Sequence, residues 1–317
     1  MIIISALGLD FIAGDPANRY HPTAWMGRLI ARTATYVKTG RARSERAGGV
    51  VIVVVSCGAV LGALSAVYLA LNLLLDGLVA LVASAAVTAV LLKTTISVRG
   101  LEAHARNIVV AIQDDDIATA RSRLSMIVKR DTGSLDREHV ISGAIESVSE
   151  NTVDGVTGPL FYFGVLGLPG AFVYRVVNTA DSMVGYRTSM FANLGWFAAN
   201  CDRVLNYAPA RITGLVMVLA SAMLGMNWRG AYRIMMRDAG KPDSPNAGYP
   251  MAAAAGALGV RLEKIGHYSI GDDTVGLSTD GILQAVRLMK ITSIIFCGAV
   301  TVPLMALLAY LVAGVHV

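Results

Sequence analysis

The sequence has few charged residues. Asp, Glu, Lys and Arg make up only 15% of the 317 residues, whereas soluble globular domains carry about 25%. Hydrophobic residues make up 55%, and the mean hydropathy is +0.58. This composition argues against a soluble globular protein, because so large an apolar excess needs lipid as its solvent.

Cysteine is also scarce, and the familiar phosphate-binding loops are missing. Cys57 and Cys297 fall in apolar runs and Cys201 stands alone, so neither a disulfide framework nor a thiolate metal site is expected. Gly240-Lys241 is followed by Pro242 and does not complete a P-loop, and no G-x-G-x-x-G follows a strand pattern. A nucleotide site, if present, must be of another kind.

Long uncharged runs predict membrane spans. The run 48–92 contains only Asp76 as a charged residue and divides at 72–77, which predicts a transmembrane hairpin. The run 291–315 predicts a C-terminal transmembrane helix. Two other uncharged runs, 155–174 and 212–228, are broken or short. We therefore expect an all-α, polytopic membrane protein, a single integral membrane domain over 1–317, with re-entrant or broken segments and cytoplasmic helical loops.

The N-terminal segment 1–14 is apolar apart from Asp10, but it has no basic region and no cleavage site. We expect it to be retained as a marginal membrane segment. Within 93–154, apolar residues at helical spacing predict a polar, amphipathic helical subdomain, opened by the capping charges of Asp114 to Asp116.

The basic residues suggest an orientation. All 27 Lys and Arg lie in the segments 15–46, 93–154, 175–211 and 229–290. The positive-inside rule places 15–46, 93–154 and the polar loop region 229–290 in the cytoplasm of a multi-pass cell-membrane protein, and the short loop 72–77 outside. Basic segments flank 155–174 on both sides, and the positive-inside rule places both of them on the cytoplasmic side, which a single crossing would not allow. We therefore predict a re-entrant hairpin turned at Gly167-Leu168-Pro169-Gly170. Many of these arginines could instead hold anionic membrane lipids, and no aromatic-interleaved basic stripe indicates nucleic acid.

Two similar boxes, Asn151-Thr152-Val153-Asp154 and Asn178-Thr179-Ala180-Asp181, flank the doubtful run. An Asn followed three residues later by an Asp places an amide oxygen and a carboxylate on one helix face. Such oxygen donors suit Mg²⁺ with phosphate. The alternative is that these residues cap helix ends at the membrane boundary. A straight helix would separate the boxes by about 40 Å, whereas a hairpin would bring them together.

Several short motifs follow one another along nearly the whole chain. They are Leu9-Asp10 with Gly14-Asp15-Pro16, His21-Pro22 and Gly27; Ser125 to Val128 with Arg130-Asp131-Thr132; Glu150 to Gly155; Pro159 to Tyr162; Asn178-Thr179 with Asp181-Ser182-Met183 and Gly185-Tyr186; Asp202 with Leu205-Asn206-Tyr207 and Pro209-Ala210-Arg211; and Ser244 to Gly248. With these motifs in this order, the chain resembles the CbiB/CobD family of cobalamin biosynthesis, the membrane-bound adenosylcobinamide-phosphate synthases. Ala180 and Ala208 stand where bulkier residues are expected.

The resemblance implies an ATP- and Mg²⁺-dependent carbon–nitrogen ligase that joins adenosylcobyric acid to (R)-1-amino-2-propanol O-2-phosphate. From residue chemistry we assign Asn151, Asp154, Asn178 and Asp181 to Mg²⁺, Arg187, Arg203 and Arg211 to phosphate, and Glu150 or Asp202 to the general base. Asp15, His21, Arg130, Tyr186, Asn206 and Asn246 are further candidates for binding substrate or phosphate. A lone His before Pro, as at His21, is more often structural.

Two other classes stay open. A membrane transporter would also be polytopic, but it should carry ionisable residues inside its spans and inverted repeats. A UbiA-like prenyltransferase also uses Asn/Asp boxes with Mg²⁺, but it should show two extended Asp-rich repeats, which we do not find. A homo-oligomer is possible, but the sequence does not determine the oligomeric state.

Overall fold

The computed structural model describes residues 1–128, 130–185 and 192–314, with side chains described through residue 311. Its helices are α1 Ile2–Ala13, α2 Pro22–Val37, α3 Ala42–Leu74, α4 Gly77–Lys93, α5 Val98–Gln113, α6 Ile117–Ser125, α7 Arg137–Thr152, α8 Gly158–Val184, α9 Trp196–Leu205, α10 Tyr207–Met223, α11 Trp228–Asp238, α12 Pro245–Leu258, α13 Thr279–Phe296 and α14 Val302–Gly314. Five-residue π-helical turns, Val153–Thr157 and Cys297–Thr301, lead into α8 and α14.

Four helical segments in the described part of the chain are long and apolar enough to cross a membrane. They are Ala42–Leu74, Gly77–Gln113, Arg137–Val184 and Thr279–Leu311. Trp196–Leu205 and Tyr207–Met223 pass the same test together as a bent pair and could form a fifth. The predicted all-helical, polytopic membrane fold is confirmed.

The helices belong to two compact units that interleave along the chain. The first unit contains Met1–Ser97, Gly158–Leu205 and the chain from Val300 onward. The second contains Val98–Thr157 and Asn206–Ala299.

The first unit packs α2, α3, α8 and α9 around a small apolar core. Ile30, Ile52, Val177 and Leu194 are buried together there, with exposures of 0 to 3%. Gly49 allows a close approach in this core, because a Cβ at that position would lie 2.2 Å from the carbonyl oxygen of Leu194.

The second unit depends on glycine contacts between α11 and α12. A Cβ on Gly256 would lie 2.3 Å from the Gly230 carbonyl oxygen, and a Cβ on Gly248 would lie 1.9 Å from that of Ala239. Only glycine at these positions lets the two backbones approach so closely.

Side-chain caps begin several helices, as the polar residues before them suggest. Asp116 accepts a hydrogen bond from the backbone N–H of Thr119 at 2.9 Å and begins α6, so the capping interpretation of the acidic triplet is confirmed for Asp116. Asp136 and Ser278 cap α7 and α13 in the same way. A short antiparallel hairpin consists of β1 Leu262–Lys264 and β2 Tyr268–Ile270, and Glu263 pairs with Ser269 in it. This hairpin was not predicted from the sequence.

Candidate functional site

Helix α8 reverses direction at Gly167 and forms a helical hairpin. Gly167 has φ 66° and ψ −157°, a backbone conformation outside the helical region. The rings of Tyr162 and Tyr174 stack with centroids 5.3 Å apart, and a Cβ on Gly158 would lie 2.3 Å from the Tyr174 ring. In a straight helix Gly158 and Tyr174 would be about 24 Å apart. The predicted chain reversal is confirmed, and its depth in the membrane stays a prediction.

The second arm of this hairpin carries the Asn178 box. The Asn178 side chain is 7% exposed, and its amide nitrogen donates a hydrogen bond to Asp202 Oδ1 on α9 at 3.2 Å. Asp181 lies one turn further along α8, with its carboxylate against the backbone of Gly185. Arg203, next to Asp202, donates a hydrogen bond to Asn200. The first unit therefore brings an amide and two carboxylates of the predicted site to the end of α8.

The first box lies in the second unit, where α7 gives way to the π-helical turn. The amide nitrogen of Asn206 donates a hydrogen bond to Asp154 Oδ1 at 3.3 Å. Asn206 is 3% exposed and directly precedes α10. The Asn151 amide nitrogen donates to the Ser147 carbonyl oxygen at 2.8 Å, which leaves its own carbonyl oxygen on the other side of the amide. Asp154 and Asn206, two predicted site residues 52 positions apart, thus meet.

Arg211 lies on the first turns of α10, close to Asn206 along the helix. Its guanidinium carbon is 3.5 Å from the ring centroid of Tyr207 and 4.6 Å from that of Tyr249. One of its nitrogens donates to Asn246 Oδ1 at 3.1 Å. Two aromatic rings and an amide therefore fix the guanidinium, which favours a planar, oriented cation for phosphate oxygens.

The remaining predicted residues are distributed as follows. Glu150 is exposed on the last turn of α7. Tyr186 and Arg187 lie outside the described residues.

Within the described ranges, no three His, Cys, Asp or Glu side chains form a group that could hold a metal ion. Asn151 and Asp154 belong to the second unit and Asn178 and Asp181 to the first, so a single metal held by both boxes stays a prediction.

Comparisons with known proteins agree on one family. The model of the family described as "CobD/Cbib protein" matches residues 3–289. The chain is similar to the "Probable cobalamin biosynthesis protein CobD" of Methanothermobacter thermautotrophicus, with 44% identity over 93% of this chain and 94% of that protein. The chain belongs to the CobD/CbiB family of cobalamin biosynthesis proteins.

Two further relatives give the same result. The "Cobalamin biosynthesis protein CobD" of Dehalococcoides mccartyi is 42% identical over 86% of this chain and 87% of that protein. The "Probable cobalamin biosynthesis protein CobD" of Thermoplasma volcanium is 36% identical over 98% of both chains. No solved structure matches this CobD family member.

Arg130 of this CobD family member lies in a buried polar network that the sequence analysis missed. Its guanidinium is 3.5 Å from Glu146 Oε1, and a Cβ on Gly143 would lie 2.5 Å from it. Ser142 and Tyr268 each donate to Glu146 at 2.8 Å. Burial, and then the charge of Glu146, raise the pKa of Tyr268 well above its usual 10, so its hydroxyl stays protonated and remains a donor.

A sequence signal for this network does exist. Ser142, Glu146, Glu150 and Asp154 are spaced at intervals of four, which places them along one side of the helical segment that ends in the first box. The pattern would have placed Glu146 on the same helix side as the first box, whereas its pairing with Arg130 follows from the packing of the helices.

Asp15 and His21 lie in a second polar cluster, in the first unit. Lys93 Nζ is 2.6 Å from Asp15 Oδ1 and 3.3 Å from Asp10 Oδ1. Ser97 donates to Asp15 Oδ2 at 2.8 Å, and His21 accepts a hydrogen bond from the Thr23 backbone as the cap of α2. Burial raises the pKa of Asp15, but hydrogen bonds with His21, Lys93 and Ser97 outweigh burial and lower it well below 3.8.

The contacts of Asp15 in this second cluster are structural ones. Asp15 is ionised at neutral pH and neutralised by the buried amine of Lys93, so its contacts are those of a residue that ties α1, α2 and α4 together. The role of Asp15 and His21 in substrate binding stays a prediction. Lys93 lies at the end of a long apolar run, and nothing in the sequence indicated that it pairs with Asp10 and Asp15.

Proposed function

We propose that this CobD family member forms the amide between a propionate of adenosylcobyric acid and the amine of (R)-1-amino-2-propanol O-2-phosphate, with consumption of ATP. The product is adenosylcobinamide phosphate. Family membership supports a role in cobalamin biosynthesis. The observation that supports this reaction best is the meeting of Asp154 with Asn206 and of Arg211 with Asn246 at the start of α10.

The chemistry requires activation of a carboxylate, because its oxygen is a poor leaving group. Transfer of the γ-phosphoryl group of ATP to the propionate gives an acyl phosphate and ADP. The amine then attacks the carbonyl carbon, the bond from that carbon to the phosphoryl oxygen breaks, and phosphate leaves. Before this attack, the ammonium group of the amino alcohol gives a proton to a general base, which leaves the neutral amine as the nucleophile. Such a site needs fixed cations for the phosphoryl oxygens, since positioning and electrostatic stabilisation dominate phosphoryl transfer.

The residues at hand match these needs. Arg211, held between Tyr207 and Tyr249, presents a fixed guanidinium to phosphate oxygens, and Arg203 and Arg187 are further candidates for that task. Glu150 or Asp202 takes the proton of the amine. Arg130, braced by Glu146, is a candidate cation for the phosphate of the amino alcohol.

The donor set also fits Mg²⁺, which prefers carboxylate and amide oxygens. Asp154 and Asn151 would supply such oxygens from one box, and Asp181 and Asn178 from the other. When bound, the ion would neutralise phosphate charge. One metal can serve both boxes only if the chain between them reverses, and the reversal of α8 at Gly167 supports this part of the proposal.

The decisive experiment is a reaction in detergent. The purified protein is incubated with adenosylcobyric acid, aminopropanol phosphate and Mg-ATP, and the amide is detected by mass spectrometry. We expect a product that appears only with ATP. Absence of an ATP-dependent product with any short amino-alcohol phosphate would refute the ligase assignment.

The metal assignment has its own test in the same assay. Asp154→Asn or Asp181→Asn should lower turnover by about two orders of magnitude or more, because each removes a carboxylate that we assign to Mg²⁺ and so weakens the neutralisation of phosphate charge. Asp76→Asn, at a position between α3 and α4 that is far along the chain from both boxes, is the matched control and should keep normal turnover. Normal activity in both box variants would overturn the assignment.

Sidedness tests whether the boxes can share a metal. Thr152 is fully buried, so Glu150→Cys and Thr179→Cys are better labelling positions, each in a background without the native cysteines. An impermeant maleimide applied to sealed vesicles should label both from the same side. Labelling from opposite sides would end the shared-metal proposal and leave the ligase reaction itself open. We place the enzyme in the cell membrane with its site facing the cytoplasm, where ATP is available.

A further inference from the structure

Helix α11 exposes two parallel stripes of different chemistry. Trp228, Tyr232 and Met236 follow one another at intervals of four and are 45%, 50% and 63% exposed. An arginine directly follows each of them, and all three arginines, Arg229, Arg233 and Arg237, are exposed. Residues four apart lie on the same side of a helix, so an apolar stripe and a basic stripe run side by side.

The third side of α11 is the one that holds the helix to its unit. It is buried and consists of Gly230, Ala231, Ile234, Met235 and Asp238. The close contact of Gly230 with Gly256 seats this side on α12. The aromatic and basic stripes face away from it, and folding of the unit does not explain an exposed Trp, Tyr and Met in register.

The preceding helix, α10, carries an apolar stripe of the same kind. Leu215, Leu219 and Met223 on α10 are also spaced by four and are 55%, 51% and 67% exposed. The segment 212–228 contains no charged residue, and α10 belongs to the bent pair that is long and apolar enough to cross a membrane. The exposed side of α10 is therefore suited to acyl chains, and α11 begins where that apolar segment ends.

The charges of α11 favour an anionic partner. The guanidinium carbon of Arg229 lies 5.0 Å from the Trp228 ring centroid. Arg233 and Arg237 pair with Asp272 at 3.2 and 2.9 Å, and Arg237 and Lys241 pair with the buried Asp238. Three cations thus share two carboxylates, and Arg229 adds a fourth positive charge, which leaves the surface net positive.

We propose that α11 lies in the membrane–water interface, with Trp228, Tyr232 and Met236 against the outer acyl chains and Arg229 and Arg233 on anionic lipid headgroups. Trp and Tyr concentrate at that depth in membrane proteins. A helix with an apolar side and a basic side settles in the interface plane. Each arginine near an anionic membrane surface strengthens binding to that surface about fivefold.

Trp228 itself is the probe for the test. Trp25→Phe and Trp196→Phe make it the sole tryptophan, and the full chain is reconstituted in phosphatidylcholine vesicles that contain some phosphatidylglycerol. Fluorescence quenching is measured with lipids brominated near the headgroup or near the chain end. We expect stronger quenching from the shallow bromines, and several-fold stronger quenching when the brominated lipid is phosphatidylglycerol than when it is phosphatidylcholine.

Charge variants separate lipid binding from simple exposure. Arg229→Gln with Arg233→Gln should remove most of the preference for brominated phosphatidylglycerol, whereas Arg123→Gln, an exposed arginine on α6, should leave it unchanged. Quenching by aqueous iodide and not by brominated lipid would place α11 in water. Quenching by neither would mean that a second copy or another protein covers the helix. Equal quenching by the two lipids would remove the anionic preference, and each of these three results would overturn the proposal.

Discussion

Replacement of Gly167 by alanine tests the helical hairpin through the sign of one free-energy change. In a straight helix, alanine is more favourable than glycine by about 1 kcal/mol, so Gly167→Ala would stabilise the protein. In the hairpin, Gly167 has φ 66° and ψ −157°, a region that only glycine occupies without strain, and a side chain there costs about 1 to 3 kcal/mol.

The space around Gly167 makes this a test of the backbone alone. Among the described residues, the nearest atom to a Cβ at this position would be Pro169 Cδ, at 3.9 Å, which is an ordinary contact. The conformational cost is therefore not increased by a steric clash with these residues. Asparagine should not rescue the position, because its side chain favours the left-handed helical region with positive ψ, which differs from the conformation found here.

The assay is unfolding in mixed micelles by titration with a denaturing detergent, followed by circular dichroism. Gly62→Ala is the matched control, because Gly62 lies within α3 and a Cβ added there would meet no described atom within 4 Å, and it should raise the free energy of unfolding. We expect Gly167→Ala to lower it by about 1 to 3 kcal/mol. A Gly167→Ala protein as stable as the Gly62→Ala protein would refute the chain reversal.

Two other predictions concern the second unit. Gly256→Ala should lower the free energy of unfolding by about 1 to 3 kcal/mol, because the new Cβ would lie 2.3 Å from the backbone oxygen of Gly230 and the helices must separate; an unchanged denaturation midpoint would contradict this packing. For Asp238, burial raises the pKa, but hydrogen bonds from Arg237, Lys241 and the Gly271 N–H outweigh it and lower the pKa well below 3.8. A depressed pKa stabilises the fold above the unfolded value, so stability should fall as the pH drops below about 4. Asp238→Asn should be less stable at neutral pH and lose less on acidification, and an equal loss in both proteins would refute the linkage.

The sequence was informative where one local property dominates. Uncharged runs predicted α3 and α4, since only helices satisfy their backbone in lipid. Glycine and proline at 167–170 predicted the reversal of α8, because these residues carry backbone preferences that act without distant partners.

Pairings between distant residues escaped the sequence analysis. Tyr268 reaches Glu146 across 122 residues and Lys93 reaches Asp15 across 78, and only the packed helices determine which charges meet. The β1–β2 hairpin escaped for another reason. Its strands are three residues long, too short for alternation to show, and they are held by contacts such as the hydrogen bond from the Glu263 N–H to Ser142 on α7.

The interleaving of the two units has a consequence for biosynthesis. The first unit needs α14, which begins at Val302, although its first segment is complete at Ser97. At about 5 to 20 residues per second, the ribosome needs roughly 10 to 40 s to make the intervening chain. The N-terminal helices must therefore wait in the membrane without their final neighbours. If translation stops after α13, the inserted chain contains the second unit but lacks the last helix of the first unit. We expect such an unfinished chain to be degraded by membrane quality control.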